Sequence, residues 1–212
     1  MSSKKTVIRR LAELAVHDMS NIHAILDEGF VCHVAYLNEG RPVVIPTLYA
    51  RDRDRVLLHG SHASGLMLAV KRGSPLSIAV TLVDGLVVAR SAFESSANYR
   101  SVVIHGHGRL LEGEEHEAAL DVIVEALIPG RLADIRRPTT QELRKTAIFA
   151  VGLDEVSAKV HVGPPEDAES DLGTGVWAGV IPLHLTAGTA EPAPDLESGI
   201  EIPDYLKPYR RS

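Results

Sequence analysis

The fold of this chain is decided by residues 30–60, which read FVCHVAYLNEGRPVVIPTLYARDRDRVLLHG. Residues 30–37 and 42–50 have the two-residue periodicity and the β-branched and aromatic content that are typical of strands. The polar run NEGR between them predicts a hairpin turn, and the charged run RDRDR predicts a second turn into a third strand at 55–60. Three consecutive strands joined in this way predict an antiparallel meander.

Helical periodicity and capping residues mark the segments around this meander. A helix is predicted to start near Ser20, with Ser20 or Asp18 as its N-cap. A second helix is expected over 64–73, capped by Ser64, and the clearest amphipathic pattern lies at 114–128, with glutamates in its first turn. The remaining predicted elements are a short helix at 140–145 and strands at 75–91 (bulged at Asp84), 100–111, 146–153, 156–162 and 176–186.

The order of these elements indicates a mainly β fold. Most strands are joined by hairpins, and the alternating β-α units of a doubly wound sheet are absent. We therefore expect an antiparallel β-barrel of Greek-key-like topology, decorated with helices. A length of 212 residues with 45% apolar content suits a single domain over 1–212, with an N-terminal arm at 1–18, a loop at 163–175 and an extended, proline-rich tail at 187–212.

Charge and composition exclude several functional classes. The chain has 22 basic and 28 acidic residues, a net charge of −6, and no basic stripe that would indicate nucleic-acid binding. Its longest apolar stretch, 76–89, contains Asp84 and is shorter than the roughly 20 residues that span a bilayer. The single cysteine, Cys32, excludes an internal disulfide and fits a reducing compartment. We therefore expect a cytoplasmic protein that binds neither nucleic acid nor membrane.

The segment HGSHASG at 59–65 carries the most information about function. It joins a predicted strand to a predicted helix, and its small residues allow backbone N–H groups to approach an anion closely. Ser61 and Ser64 add hydroxyl donors, and His59 and His62 add imidazoles. A phosphate would suit this turn. The alternative is a plain connector in which Ser64 only caps the helix.

Two other positions are candidates for ligand contact. Arg100 lies beside Tyr99 and Ser101 at the start of a strand, where a guanidinium could bind a phosphate or a polar heterocycle. The alternative for Arg100 is a solvent-exposed position at the strand edge. Trp177, the only tryptophan, could stack on a ligand or a partner subunit, or could belong to the core.

The sequence contains no evident catalytic constellation. There is no GxSxG motif, and Cys32 lies in mid-strand with the side chain of His33 on the opposite face. Among the ten histidines, His105 and His107 share one strand face, but no HExxH or cysteine-rich spacing accompanies them. We therefore predict no protein-bound metal and leave the catalytic residues unassigned.

Four segments taken in order resemble the FMN-binding split-barrel proteins related to pyridoxamine 5′-phosphate oxidase. They are ILDEGFVCHVAYLNEGRPVVIPTLYA, RVLLHGSHASG, NYRSVVIHGHGRLLEGEE and VWAGVIPLHL. The branch that contains the nitroimidazole-resistance reductases is the most similar, and the resemblance spans residues 19–190. It implies an FMN-binding split barrel that forms a homodimer, with the flavin in a cleft between the two subunits.

The resemblance also assigns cofactor-binding roles. Ile45, Pro46 and Thr47 would line the flavin, while His59 and Gly60 would adjoin its phosphate and ribityl chain. Three residues would form the phosphate loop: Ser61, His62 and Ser64. Arg100 and Ser101 would lie near the isoalloxazine ring, and Trp177 belongs to the segment that is similar to the oxidases' Trp-x-Gly-x-x-x-Pro. Arg131, after the long helix, is a weaker candidate.

This chain departs from the oxidases at two places. Gly65 and Leu66 stand where the oxidases have an Arg-Lys pair in the phosphate loop, so that His62, Ser64 or Lys71 would have to replace it. The tail, EIPDYLKPYRRS, lacks the Arg-Leu-x-x-Arg segment with which the oxidases grip substrate. Oxidation of pyridoxamine 5′-phosphate itself is therefore not expected.

The expected function is that of an FMN-dependent oxidoreductase with an unknown small-molecule substrate. The bound flavin would carry the electrons, and the protein would supply binding and electrostatics. Three alternatives keep the same fold: a non-catalytic flavin carrier or sensor, a protein that binds haem through one of its histidines, and a deazaflavin-dependent reductase.

Overall fold

The computed structural model describes residues 14–207 and 209. In this part of the chain ten strands form one sheet. The strands are β1 (Ala15–Val16), β2 (Val31–Asn38), β3 (Arg41–Asp52), β4 (Arg55–Ser61), β5 (Pro75–Val88), β6 (Ser96–His107), β7 (Arg109–Leu110), β8 (Thr146–Gly152), β9 (Glu155–His161) and β10 (Gly179–Pro182). The helices are α1 (Met19–Glu28), α2 (Gly65–Lys71), α3 (Gly113–Leu127) and α4 (Thr140–Lys145), with 3-10 turns at Arg131–Ala133, Glu169–Asp171 and Asp204–Leu206.

All strand pairs in this sheet are antiparallel. The strand order is β1-β9-β6-β5-β2-β3-β4-β8-β7, and β10 pairs with β5. The predicted meander is present as β2, β3 and β4. The fold is a mainly β, antiparallel split barrel with helices, which confirms the predicted fold class.

The sheet opens between β3 and β4. These two strands pair only over residues 49–52 of β3, whereas β4 continues beside β8 as far as Ser61. Among the described residues, 41–48 of β3 therefore pair with β2 alone. We call the gap between residues 41–48 and 59–61 the split.

Two apolar clusters hold the helices on the sheet. In the larger one, Leu26 of α1 and Met67 of α2 pack with Val34 and Ile78 on the inward side of β2 and β5. Burial stabilises each such side chain by roughly 1.5–3 kcal/mol relative to exposure. The smaller cluster fixes α3 to β3, β4 and β8 and consists of Ala50, Leu57, Leu111, Ala119, Ile123, Ile148 and Ala150.

The other side of β2, β3, β5, β6 and β9 is largely uncovered by the described residues. Side chains alternate along a strand, so the residues between the buried ones point outwards. Helix α3 covers only the end of this surface near Ala50 and Leu57. We call the uncovered remainder the outer face, and its exposed apolar residues are Val31, Leu37, Val44, Leu48 and Val83.

Capping signals in the sequence are confirmed at α1 and α2. Asp18, one of the two predicted caps, accepts from the backbone N–H of Ser20 at 3.2 Å. Ser64 Oγ accepts from the backbone N–H of Met67 at 3.3 Å. The predicted bulge is present as a shift of register around Asp84. None of the helices in the described ranges is long and apolar enough to cross a bilayer.

The predicted final strand is shorter than expected. The sequence predicts a strand over 176–186, but β10 covers only Gly179–Pro182. Pro182 has no N–H with which to continue the ladder. The N–H of Leu183 still donates to the carbonyl oxygen of Asp84 at 3.0 Å, and residues 184–207 form no further strand.

Gly108 divides the strand predicted over 100–111 into β6 and β7. A Cβ at this position would lie 2.9 Å from atoms of both Val70 and Phe149. Only glycine therefore lets the backbone pass this close to the core. Beyond Gly108 the chain changes partner, because β7 pairs with β8.

The two chain ends lie only partly within the described residues. Of the predicted N-terminal arm, residues 1–13 fall outside, and Ala15 and Val16 pair with β9. The tail is exposed from residue 187 to 201 and contains one 3-10 turn at Asp204–Leu206. Residues 208 and 210–212 fall outside the described part.

Candidate functional site

The split exposes one backbone edge of β3 beside the end of β4. Proline is tolerated in a sheet only where no ladder N–H is needed, and both Pro42 and Pro46 lie on this part of β3. Pro46 lies opposite His33 of β2, which makes their pair a non-hydrogen-bonded one. The backbone N–H and C=O groups of Val44 and Leu48 consequently point away from β2. This edge offers donors and acceptors to a ligand.

The three residues predicted on β3 differ in what they present. The side chain of Ile45 packs against the larger core cluster, and its backbone N–H and C=O point towards Val34 of β2, so Ile45 presents no polar group to the split. Pro46 is exposed and places its ring on the outer face. Thr47 is half-buried, and its Oγ1 donates to the carbonyl oxygen of Leu48 at 3.4 Å, a weak bond.

His59 lies half-buried at the end of β4, on the face that it shares with Ile148 of β8. Its Nδ1 is buried and has no hydrogen-bond partner among the described residues. Burial lowers the pKa of this imidazole, because the charged form loses hydration. An unpaired buried nitrogen costs free energy unless a ligand or a water satisfies it. His59 is therefore the strongest mark of a binding site at the split.

The serines of the turn after β4 are already engaged locally. Ser61 Oγ accepts from the backbone N–H of Ala63 at 3.3 Å, and Ser64 caps α2. Each hydroxyl keeps its own hydrogen to donate, since a hydroxyl is both acceptor and donor. His62 is exposed. The turn can therefore still donate to an anion from two hydroxyls.

Lys71 brings a cation to this turn. Its Nζ donates to the carbonyl oxygen of His62 at 3.4 Å. Lys71 is one of the three residues, with His62 and Ser64, that were expected to replace the missing Arg-Lys pair, and this role stays a prediction. A Cβ at Gly60 would point into the core, because it would lie 3.4 Å from Cε of Met67. Only the backbone of Gly60 can thus contact a ligand in the split.

Arg100 is held by two carboxylates of its own chain. Its Nε and Nη2 donate to Asp84 at 2.9 and 2.7 Å, and its Nη1 and Nη2 donate to Glu28. These bonds raise the pKa of Arg100, with Glu28 as the larger cause, and lower that of Glu28. The side chain of Arg100 is 25% exposed. Arg100 is therefore neither a free guanidinium that awaits a ligand nor a solvent-exposed residue at the strand edge.

The remaining predicted residues lie on other elements. Ser101 faces outwards on β6, which β5 and β2 separate from β3, a distance of about 14 Å. Trp177 is 65% exposed next to Gly179. Arg131 follows α3, and its Nη1 donates to Oη of Tyr205 at 3.0 Å. The predicted residues of β3, β4 and the turn after β4 are the ones that adjoin the split.

A cavity of about 860 Å³ opens at the other end of the outer face. His105 and His107 both line it, as their predicted common strand face requires, and Nδ1 of His105 lies 2.9 Å from Oγ of Ser77. Tyr36 and Leu37 supply apolar wall. Sequence reasoning did not find this cavity, because its lining comes from six strands and one turn that lie far apart in the chain.

Comparison with known proteins places this fold in a family. A family model described as pyridoxamine 5′-phosphate oxidase matches residues 18–160. This chain belongs to the pyridoxamine 5′-phosphate oxidase family. The matched residues run from the cap of α1 to β9, and they include the split and the outer face. A search of the curated proteins found no match.

Solved structures of similar proteins extend the similarity beyond residue 160. An FAD- and haem-binding protein from Mycobacterium smegmatis is 35% identical, with a TM-score of 0.89 over 92% of this chain and 96% of that one. The flavocytochrome Anf3 from Azotobacter vinelandii is 36% identical, with a TM-score of 0.92 over 99% and 98%. A nitroimidazole-resistance protein candidate from Bacteroides thetaiotaomicron, 23% identical with a TM-score of 0.59 over 69% and 86%, shares the fold.

Proposed function

We propose that this protein is a flavin-dependent oxidoreductase that binds its cofactor at the split. The observation that carries the proposal is the buried, unpaired Nδ1 of His59 beside the free edge of β3. The similarity to an FAD- and haem-binding protein and to a flavocytochrome supports a flavin. FMN remains the flavin that the sequence predicts, and FAD is the one bound by the first of these relatives.

The residues around the split would bind and orient the flavin rather than react themselves. Flavins carry hydride or single electrons, and the protein supplies position and electrostatics. The backbone groups of Val44 and Leu48 would hydrogen-bond to the cofactor, and the hydroxyls of Ser61 and Ser64 would donate to its phosphate. Lys71 would add positive charge nearby. No side-chain acid or base is needed for this role, which agrees with the lack of a catalytic constellation.

In this proposal the protein works as a homodimer. On the outer face, Val31, Val44 and Val83 are 43%, 59% and 50% exposed. Apolar surface of this kind is typical of a subunit interface. A second subunit would also place its own Ser101 or Trp177 beside a cofactor bound at the split of the first subunit.

Haem binding is the second candidate function, and His59 favours it as well. A lowered pKa keeps its imidazole neutral at physiological pH, and neutral imidazole is the form that ligates iron. Two similar solved proteins are described as haem-binding and as a flavocytochrome. A single chain could therefore carry both cofactors, with His59 as the histidine to test first.

The absorption spectrum of the purified protein tests these proposals. Twin flavin bands support the flavin, an added Soret band supports haem, and the mass of the released ligand separates FMN from FAD. A colourless protein that binds added deazaflavin would overturn the flavin assignment. Reduction of the bound flavin by NADH or NADPH supports catalysis, whereas a yellow protein that neither donor reduces would favour a carrier.

The variant pair His59→Ala and His17→Ala locates the site. We expect His59→Ala to weaken flavin binding about tenfold, equal to a loss of roughly 1.4 kcal/mol, or to remove the Soret band if His59 ligates haem. His17 is exposed ahead of α1 and outside the predicted cofactor-binding set, so its variant controls for the loss of a histidine elsewhere. Equal retention of cofactor by both variants would remove His59 from the site.

A further inference from the structure

The tail leaves the sheet after β10 and returns to the body of the protein near its end. The backbone N–H of Leu183 still donates to Asp84, but residues 184–201 are all exposed. Tyr205 and Tyr209 are half-buried again, and both make hydrogen bonds to the end of α3 or to the turn after it. We call these two tyrosines the latch, because they form the second attachment of the tail.

Tyr205 of the latch occupies a position that the turn after α3 is shaped to receive. Its Oη accepts from Nη1 of Arg131 at 3.0 Å and donates to Oδ2 of Asp134 at 2.7 Å. A Cβ at Gly130 would lie 3.2 Å from Cγ of the tyrosine ring, so the glycine leaves room for that ring. The carboxylate of Glu125 fixes the turn, since it accepts from two backbone N–H groups there at 2.7 and 2.9 Å.

Tyr209 of the latch lies beside the place where β3 and β4 separate. Its Oη donates to the carbonyl oxygen of Leu127, the last residue of α3, which has no partner within the helix. The centroid of its ring lies 6.2 Å from that of Phe30. The next residue, Val31, lies opposite Leu48, which directly precedes the part of β3 that pairs with β4. We call this position the closed end of the split.

The first attachment of the tail lies at the same end of the sheet. Arg100 joins Asp84, which binds Leu183, to Glu28 at the end of α1. Phe30, which contacts the latch, follows Glu28 by two residues. The exposed part of the tail is therefore a loop whose two ends are both anchored near the closed end of the split.

We propose that the latch controls the exchange of the flavin at the split. With both tyrosines bound, the tail is held across the closed end of the split, and release of the latch lets the tail swing away so that the cofactor can leave or enter. Loops that open and close at a site set the rate of release in many enzymes. The proposal rests on the flavin site proposed above and adds the element that sets its exchange rate. Arg131 would then act through Tyr205 as a positioning residue.

The double variant Tyr205→Phe/Tyr209→Phe tests the latch by removing both hydroxyls while keeping both rings. Hydrogen exchange of the backbone amides of residues 206 and 207, which are bonded in the last 3-10 turn, reports release of the tail. The fluorescence recovered on dilution reports dissociation of bound FMN, and of FAD if the purified protein contains it. We expect both rates to rise at least tenfold.

Tyr99→Phe is the matched control for this double variant. It also removes a tyrosine hydroxyl, but its ring lies on β6 beside His161, 6.0 Å from the imidazole. Tyr99 makes no printed contact with the latch residues, so we expect Tyr99→Phe to leave both rates at the wild-type value.

A reversible crosslink tests the opposite state, in which the tail cannot be released. A Cβ at Gly130 would lie 3.3 Å from Cβ of Tyr205, near the roughly 3.5–4.5 Å that separates the Cβ atoms of a disulfide. Gly130→Cys/Tyr205→Cys should therefore form a disulfide on oxidation, while the buried Cys32 does not compete. We expect flavin to leave the oxidised variant at least tenfold more slowly than the same variant after reduction, which serves as its control.

The outcomes separate the latch from the flavin site. If the phenylalanine variant exchanges its tail amides faster but releases flavin at the wild-type rate, the latch only fastens the tail. The proposal is then wrong and the flavin site stands. Equal rates of flavin release before and after reduction of the disulfide would overturn the proposal in the same way. A wild-type protein that binds neither FMN nor FAD would overturn the flavin site and the proposal together.

Discussion

Arg100 and Asp84 form a two-point ion pair across the bulge of β5, with Nε–Oδ2 and Nη2–Oδ1 distances of 2.9 and 2.7 Å. Glu28, the last residue of α1, accepts a hydrogen bond from the same guanidinium on its other side. The carbonyl oxygen of Asp84 also accepts from Leu183. Asp84, at the bulge, thus connects the end of α1, the strands β5 and β6, and Leu183 directly after β10.

Replacing Arg100 tests whether this pairing is structural. We expect Arg100→Ala to lower the free energy of unfolding by about 1–3 kcal/mol, because two carboxylates lose charge-assisted hydrogen bonds at a partly buried position. Arg136→Ala is the control, since that arginine is 68% exposed beside Glu142 and should cost no more than about 1 kcal/mol. Urea unfolding gives both values. If Arg100→Ala instead keeps full stability and loses flavin, the arginine belongs to the cofactor site.

Glu115 should make stability depend on pH in the acid range. Hydrogen bonds from Arg109 and Arg55 lower its pKa to about 2, while the pKa of an unfolded glutamate is about 4.3. The folded pKa is the lower one, so the stabilisation is complete above about pH 4.3 and is lost as pH falls towards 2. Thermal melting is measured from pH 2 to 6. As pH falls, the melting temperature of the wild type should approach that of Glu115→Gln.

The neighbouring Glu114 provides the control for this titration. It lies one residue before Glu115 on α3, and the hydrogen bonds from Arg55 and Arg109 go to Glu115 instead. We expect Glu114→Gln to follow the wild type across the whole pH range. If the melting temperatures of wild type and Glu115→Gln differ by the same amount at all pH values, the ionisation of Glu115 does not contribute to stability as predicted.

Cys32 should be inert in the folded protein. It is fully buried on the inward side of β2, and burial raises the pKa of its thiol to about 12. The thiolate is the reactive form, so a disulfide reagent at pH 8 should modify Cys32 only after unfolding. Rapid modification of the native protein would show that β2 opens. Cys32→Ser should destabilise by about 1–3 kcal/mol, more than Cys32→Ala, because it buries a hydroxyl in the core.

Gly29 should tolerate no side chain. A Cβ there would lie 2.7 Å from Oη of Tyr49, which donates to the carbonyl oxygen of Leu26, and 2.8 Å from Cγ1 of Val80. We expect Gly29→Ala to cost about 1–3 kcal/mol in unfolding free energy through this overpacking. Gly188→Ala, with nothing within 4 Å, should change stability by less than about 0.5 kcal/mol. Equal stability of the two variants would show that Tyr49 can move aside.

Local signals were sufficient for the fold and for part of the site. The meander, the bulge at Asp84 and the cap at Ser64 all follow from short-range periodicity and side-chain chemistry, and the structure confirms them. The final strand was predicted too long because its apolar residues alternate like those of a strand. Pro182 ends the ladder there, and those residues face solvent instead.

Long-range pairing explains what sequence reasoning missed. Nothing local to Arg100 reveals that Glu28, 72 residues earlier, holds it, and nothing local to Arg131 reveals Tyr205, 74 residues later. The roles in cofactor binding assigned to Ser101, Arg131 and Trp177 stay predictions.

Short-range chemistry in the amino-acid order was enough to specify strands, turns, caps and the polar turn after β4, because those features depend on residues only a few positions apart. The tertiary structure decided three further features. It set the position at which β3 and β4 separate, and it left Nδ1 of His59 without a hydrogen-bond partner. It also brought the carboxylates of Asp84 and Glu28 to the guanidinium of Arg100. These depend on groups brought together from distant parts of the chain, whose approach is set by the packing of the whole sheet and its helices.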